Sequence, residues 1–214
     1  MGIFGDTGHG ASTLVEALAE VADGGRGRRS QVPTRSPENV TDTSNAHKYS
    51  LRYVECRTRA RRYVFVDVPG SAVIADVVVA AAQLDALILV VSARDGVTAR
   101  TAELLFLARY AGVPHALVAV TKVDAADSEL TDVASLEAAD LLAHGGQVRG
   151  GALPTDTHPT GAIHLVQAAV GTRELLTVTS VSALGALHGD PWGTDTIRSL
   201  LGALETLIPP PART

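Results

Sequence analysis

Residues near the amino terminus have the types and spacing of a loop that binds phosphate. Gly5, Gly10 and Ser12 fit the pattern of Gly, four free positions, Gly, Lys, then Ser or Thr. In such a loop, between a strand and a helix, backbone N–H groups hold phosphate oxygens. Ala11 stands where the pattern has its lysine. The sequence therefore predicts a phosphate cradle that lacks its usual cation.

Three further groups of polar residues follow predicted strands. Asp67-Val68-Pro69-Gly70 can give a carboxylate to a magnesium shell and an N–H group to a γ-phosphate. Thr121-Lys122-Val123-Asp124 offers a carboxylate to the N1–H and 2-amino groups of guanine, with the lysine stem over the ring. Ser182-Ala183-Leu184 offers a backbone N–H to the guanine carbonyl. Adenine lacks both this pair of donors and the carbonyl, so the two motifs together predict selectivity for guanine.

Predicted strands alternate with predicted helices along the whole chain. Apolar runs and period-3.6 patterns place strands over 1–4, 49–55, 61–66, 87–91, 116–120 and 175–181, and helices over 14–21, 72–82, 98–110, 130–143, 162–170 and 194–207. This alternation predicts an α/β fold with a mainly parallel sheet flanked by helices. In such a fold, ligands bind beyond the carboxyl ends of the strands.

Composition narrows the possible classes of protein. The 214 residues carry a net charge of −5, which does not indicate nucleic-acid or membrane binding, although RNA stays open as a partner. The apolar region 72–93 is interrupted by Asp76, Gln83 and Asp85, which argues against a membrane span. With a single cysteine, Cys56, and no secretory signal, we expect a cytoplasmic protein.

These motifs, in this order, resemble the GTP-binding domain of the translational GTPases, most closely the elongation-factor-Tu type. Gly112-Val113-Pro114 and Gly189-Asp190-Pro191-Trp192 add to the likeness. The resemblance implies a three-layer phosphate-loop GTPase domain over 1–208. In it, 24–47 would be the first switch, 144–174 a longer loop and 209–214 a tail, with the family's β-barrel domains absent.

The resemblance also implies GDP or GTP as the ligand, with or without Mg²⁺. The metal ligands would be Ser12 and Asp67. The nucleotide-binding residues would be Gly5, Asp6, Thr7, Gly8, His9, Gly10, Ala11, Ser12, Thr13, Gly70, Thr121, Lys122, Asp124, Ser182, Ala183 and Leu184.

Several positions depart from the family's pattern. Besides Ala11, Ser71 occupies the place of the catalytic histidine, and an ungapped count puts Lys48 where the first switch has its magnesium-binding threonine. The hydrophobic gate would be Thr7 and His47, neither of them apolar. These losses all affect phosphate and water chemistry, so we expect no catalytic residue and negligible GTP hydrolysis. A loop cation, such as Lys48 or Arg26, stays open as a replacement for the lysine.

Two classes of function fit these observations. The first is a guanine-nucleotide-binding protein that hydrolyses little or no GTP and acts as a regulatory or interaction module. The second is a pseudo-GTPase that binds no nucleotide and serves as a scaffold for protein or RNA. A new enzymatic role that uses aminoacyl-tRNA is a weaker third option. The helix over 72–82 is apolar almost all round, which favours a protein partner or self-association.

Overall fold

The computed structural model describes residues 1–22, 24, 51–144, 164–166 and 176–209. Each strand and helix is numbered in chain order. The elements are β1 (Gly2–Gly5), α1 (Ala11–Ala22), β2 (Arg52–Arg57), β3 (Arg62–Val68), α2 (Ile74–Ala81), β4 (Leu87–Ser92), α3 (Ala99–Tyr110), β5 (Ala116–Thr121), α4 (Ser128–Ala143), β6 (His164–Val166), β7 (Leu176–Ser180), α5 (Ala183–Leu187) and α6 (Pro191–Leu207).

The described strands form one sheet in the order β2-β3-β1-β4-β5-β7-β6. The five central strands are parallel, and each edge strand is antiparallel to its neighbour. Ile3 lies opposite Asp67 on one side and Ile88 on the other. The carboxyl ends of the parallel strands therefore meet at one edge of the sheet, which confirms the predicted α/β fold and brings the motifs together.

Strand β4 explains why the sheet is covered on both faces. Its residues are fully buried, and successive side chains enter opposite cores. One core holds Leu87 and Leu89 with side chains of α2, α3 and α4. The other holds Ile88 and Val90 with side chains of α1, α5 and α6. The helices thus form the two outer layers of a three-layer domain.

Two predictions were wrong near the end of the chain. The segment 162–170, predicted to be a helix within the loop 144–174, contains the strand His164–Val166, because these residues pair antiparallel with β7. Helix α6 begins at Pro191 rather than 194, because Asp190 accepts a hydrogen bond from Gly193 N–H at 2.7 Å and proline suits the first helical turn. The short helix α5 was not predicted.

Helix α2 is neither fully buried nor fully exposed. Val77, Ala80 and Ala81 pack into the core, whereas Ile74 and Val79 are 53% and 64% exposed. The neighbouring helix α3 also exposes apolar side chains, Phe106 and Tyr110, whose rings stack at 6.5 Å. Among the described helices, none is long and apolar enough to cross a membrane.

Candidate functional site

The predicted phosphate loop is a tight turn between β1 and α1. Gly8 and Gly10 have φ angles of 84° and 91°, a region that favours glycine. The first α1 residue to donate a hydrogen bond within the described chain is Leu14, whose N–H bonds to Gly10 O at 2.9 Å. The glycines therefore allow the turn that brings the start of α1 beneath the strand ends.

This geometry leaves a group of backbone donors available at the start of α1. No described residue accepts a hydrogen bond from the N–H groups of Gly8, Gly10, Ala11, Ser12 or Thr13. The first N–H groups of a helix have no partner within it, and the helix dipole favours negative charge there. The loop consequently has the form of an anion cradle even though Ala11 brings no charge.

Asp6 has a role that the sequence did not reveal. Its carboxylate accepts hydrogen bonds from Thr7 N–H at 2.6 Å and from the Thr98 hydroxyl at 2.8 Å. Thr98 caps the start of α3 together with Thr101. Asp6 therefore ties the phosphate loop to α3. Its type and position could be seen in the sequence, but its partner, 92 residues away, could not.

The predicted magnesium ligands Ser12 and Asp67 lie in the first turn of α1 and near the end of β3. Burial raises the pKa of the Asp67 carboxyl, and a hydrogen bond with the Ser12 side chain lowers it in part. Arg52, opposite Asp67 in the β2–β3 pair, also acts to lower this pKa. A hydroxyl and a buried carboxylate are oxygen donors of the kind Mg²⁺ prefers. A cation here would relieve the cost of burying the charged carboxylate.

The base end of the site is built from β5 and the segment after β7. The Ser182 hydroxyl donates to Asp124 Oδ1 at 2.7 Å and accepts from Gly185 N–H at 3.1 Å. The Ser182 N–H is used by Thr196 Oγ1 at 3.1 Å. Within the described chain, no acceptor takes the N–H of Ala183 or Leu184. The donor predicted for the guanine carbonyl is thus narrowed to Ala183 and Leu184.

Thr121 and Lys122 connect the two ends. The buried Thr121 hydroxyl donates to His9 O at 2.5 Å, which fixes the phosphate loop against β5. Lys122 has a φ of 59°, and its ammonium lies 3.6 Å from an Asp95 carboxylate oxygen. His9 is 3% exposed, and its Nδ1 accepts from Ser92 N–H at 3.3 Å. Thr121 and His9 therefore hold the phosphate loop against β5 and β4.

Gly70 lies directly against the phosphate loop. A Cβ atom at this position would come within 2.5 Å of Thr7 N and 2.7 Å of Gly5 O, so only glycine fits. No described acceptor takes the Gly70 N–H. Ser71 follows on the surface. His47 and Lys48, the other predicted departures, lie outside the described residues, as do Arg26 and the rest of the predicted first switch except Gly24.

Comparison with known proteins agrees with this arrangement. The family described as "Elongation factor Tu GTP binding domain" matches residues 1–210. The chain belongs to this family. Elongation factor Tu 2 from Streptomyces avermitilis is 40% identical over 219 residues, which cover 100% of the chain and 49% of the relative. This elongation-factor-Tu-type domain therefore spans about half the length of that relative.

Proposed function

We propose that this domain binds GDP or GTP, hydrolyses GTP at a negligible rate, and acts as a regulatory or interaction module. The observation that carries the proposal is the intact base end, where Ser182 holds the Asp124 carboxylate at 2.7 Å beside unused N–H groups. A carboxylate held in this way matches the two adjacent donors of guanine. Adenine has neither donor in that position, so it would forgo two charge-assisted hydrogen bonds.

The phosphate end supports binding more weakly. The N–H groups of Gly8, Gly10, Ala11, Ser12 and Thr13 can hold phosphate oxygens, but Ala11 cannot supply the charge-assisted contact of a lysine. Such a contact is worth roughly 1.5–3 kcal/mol, which corresponds to one to two decades of affinity. We therefore expect affinity that is lowered but retained, since the base end and the backbone cradle both remain.

Ser12 and Asp67 would hold Mg²⁺ beside the phosphates. A bound Mg²⁺ would neutralise phosphate charge. The chain's own contribution is to keep the Asp67 carboxylate buried at the end of β3. Because β3 and the start of α1 both position these groups, we expect magnesium to strengthen nucleotide binding.

The same end of the site accounts for the proposed loss of hydrolysis. Neither Ala11 nor Ser71 can stabilise developing charge or order an attacking water as the family's lysine and histidine would. Each such loss costs on the order of a hundredfold or more in rate. GTP would then persist on the domain, which suits a module whose role is regulatory.

A partner would complete this function. The apolar side chains exposed on α2 and α3, including Ile74, Val79 and Phe106, offer a surface for another protein or a second copy of the chain. The alternative function is a scaffold that binds no nucleotide, and Ala11 is the observation that favours it. We place either function in the cytoplasm, where the buried Cys56 would remain reduced.

Isothermal titration with GDP, GTP and ADP, each with and without Mg²⁺, tests the proposal. We expect micromolar or tighter binding of both guanine nucleotides, strengthened by Mg²⁺, and no binding of ADP. Phosphate release from bound GTP should be indistinguishable from the uncatalysed rate. Absence of guanine nucleotide binding would refute the proposal and favour the scaffold, and rapid phosphate release would contradict the catalytic part.

A further inference from the structure

The guanidinium of Arg100 holds the backbone that follows Gly70. Its Nε donates to Gly70 O at 3.1 Å, and its Nη2 donates to Ala72 O at 2.5 Å. These two carbonyls lie on either side of Ser71. The third nitrogen, Nη1, pairs with Glu103 at 2.6 Å, one turn further along α3. The planar fork thus joins three acceptors, two of which belong to residues 70–72.

The position of Arg100 in the protein carries two free-energy costs that its contacts must offset. Arg100 is the second residue of α3, where the helix dipole disfavours a cation. Its side chain is only 20% exposed, so its charge is largely withdrawn from water. Charge-assisted hydrogen bonds and the ion pair with Glu103 offset both costs. An arginine suits this role because its rigid fork can reach two carbonyls at once.

The segment held by Arg100 is also fixed from the other side. Gly70 packs against the backbone of Asp6 and Thr7 with no room for a methyl group. The same Asp6 carboxylate accepts a hydrogen bond from Thr98, the residue that caps α3. Phosphate loop, residues 70–72 and the start of α3 therefore form one connected unit. Movement of residues 70–72 alone would break the Arg100 bonds.

A segment that reports a γ-phosphate needs two arrangements of comparable free energy. Bonds that exist in only one arrangement shift the equilibrium towards it. Two charge-assisted bonds would shift it strongly between arrangements that otherwise have comparable free energies. We propose that Arg100 is a positioning residue that locks residues 70–72, so that α2 keeps one conformation whether GDP or GTP is bound. The functional consequence rests on the proposed nucleotide binding, whereas the lock itself can be measured without nucleotide.

Hydrogen exchange of the nucleotide-free protein tests the lock directly. The Ala72 N–H, bonded to Pro69 O at 2.9 Å, and the Asp76 and Val77 N–H groups, both bonded to Val73 O, report on the segment. Arg100→Gln should speed their exchange by roughly tenfold or more. Arg198→Gln is the matched control, because Arg198 makes an exposed i,i+3 ion pair with Asp195 at 2.7 Å on α6. It should leave these amides unchanged.

Nucleotide then tests the consequence. In the wild type, exchange over residues 72–82 should be the same with GDP and with a non-hydrolysable GTP analogue. Arg100→Gln should make the two patterns differ, and Arg100→Lys should behave like the glutamine variant because a point charge cannot serve both carbonyls. The lock is refuted if Arg100→Gln leaves the nucleotide-free exchange unchanged, or if the wild type responds to the γ-phosphate. Should neither nucleotide bind, the proposed function fails, and the nucleotide-free exchange alone decides whether the lock exists.

Discussion

The two ends of the site differ in how firmly the protein itself holds the carboxylate that would meet the ligand. At the base end, the Asp124 carboxylate is held by the Ser182 hydroxyl, and that hydroxyl is itself bonded to Gly185. At the phosphate end, N–H groups around Ala11 have no described acceptor, and Asp67 is buried at a cost. The base end is therefore organised in advance, whereas the phosphate end depends on what its ligand supplies.

Replacing Asp124, the carboxylate proposed to select guanine, should have the largest effect on nucleotide affinity. Asp124→Asn replaces an acceptor of two guanine donors with an amide that can donate instead. We expect GDP affinity to fall on the order of a thousandfold, through the loss of two charge-assisted bonds, while xanthosine diphosphate gains. Titration of both nucleotides measures this.

The matched control is Asp127→Asn, three residues later. Asp127 caps α4 by accepting from Leu130 N–H at 2.8 Å, and asparagine can do the same. This variant should bind GDP as the wild type does. An unchanged GDP affinity in Asp124→Asn would show that the base end does not read guanine.

Restoring the cation at the phosphate end should have a smaller effect of opposite sign. Ala11→Lys adds an ammonium at the start of α1, and we expect GDP to bind roughly 10- to 100-fold more tightly. The gain should shrink as salt is raised. Ala99→Lys, which adds the same charge at the exposed first residue of α3, should bring no comparable gain in the same titration. An unchanged affinity in Ala11→Lys would mean that the cradle does not hold phosphate.

The smallest expected effects are on the free energy of unfolding without ligand, where substitutions at the two ends should act in opposite directions. Ser182→Ala removes two hydrogen bonds and should lower the free energy of unfolding by about 1–2 kcal/mol. Asp67→Asn keeps the shape of the side chain but removes a buried charge, and should raise that free energy by about 1 kcal/mol at pH 7. Thermal unfolding in chelator without nucleotide measures both.

The effect of Asp67→Asn should depend on pH in a defined direction. Because folding raises the pKa of Asp67, the folded state binds its proton more tightly than the unfolded state. The cost of the charged carboxylate is therefore full above the raised pKa and disappears as pH falls towards the ordinary value of about 4. The advantage of asparagine should shrink over the same range. An advantage that grew on acidification would reverse the assignment.

Local patterns in the sequence identified what depends on neighbours along the chain. Gly5 and Gly10 marked the loop, and the apolar runs that end at Asp67 and Thr121 marked parallel strands with functional carboxyl ends. Such patterns work because backbone geometry and burial on both faces of a sheet constrain residue type over a few positions.

Contacts between distant residues could not be read in the same way. Asp6 and Thr98, or Arg100 and the carbonyl of Gly70, are brought together by the sheet order and not by spacing. The sequence predicts a helix over 162–170, whereas antiparallel pairing with β7 makes residues 164–166 a strand. Propensity is a weak guide where a partner strand supplies the hydrogen bonds.

The bond from Thr121 to His9 has a consequence for how the two ends work together. Because it fixes the cradle relative to β5, a nucleotide anchored by its base presents its phosphates to the cradle without a second encounter. The base end acts as a tether that gives the diphosphate a high effective concentration over its binding groups. A contact too weak to capture free pyrophosphate can then still be filled when the same group arrives attached to guanosine.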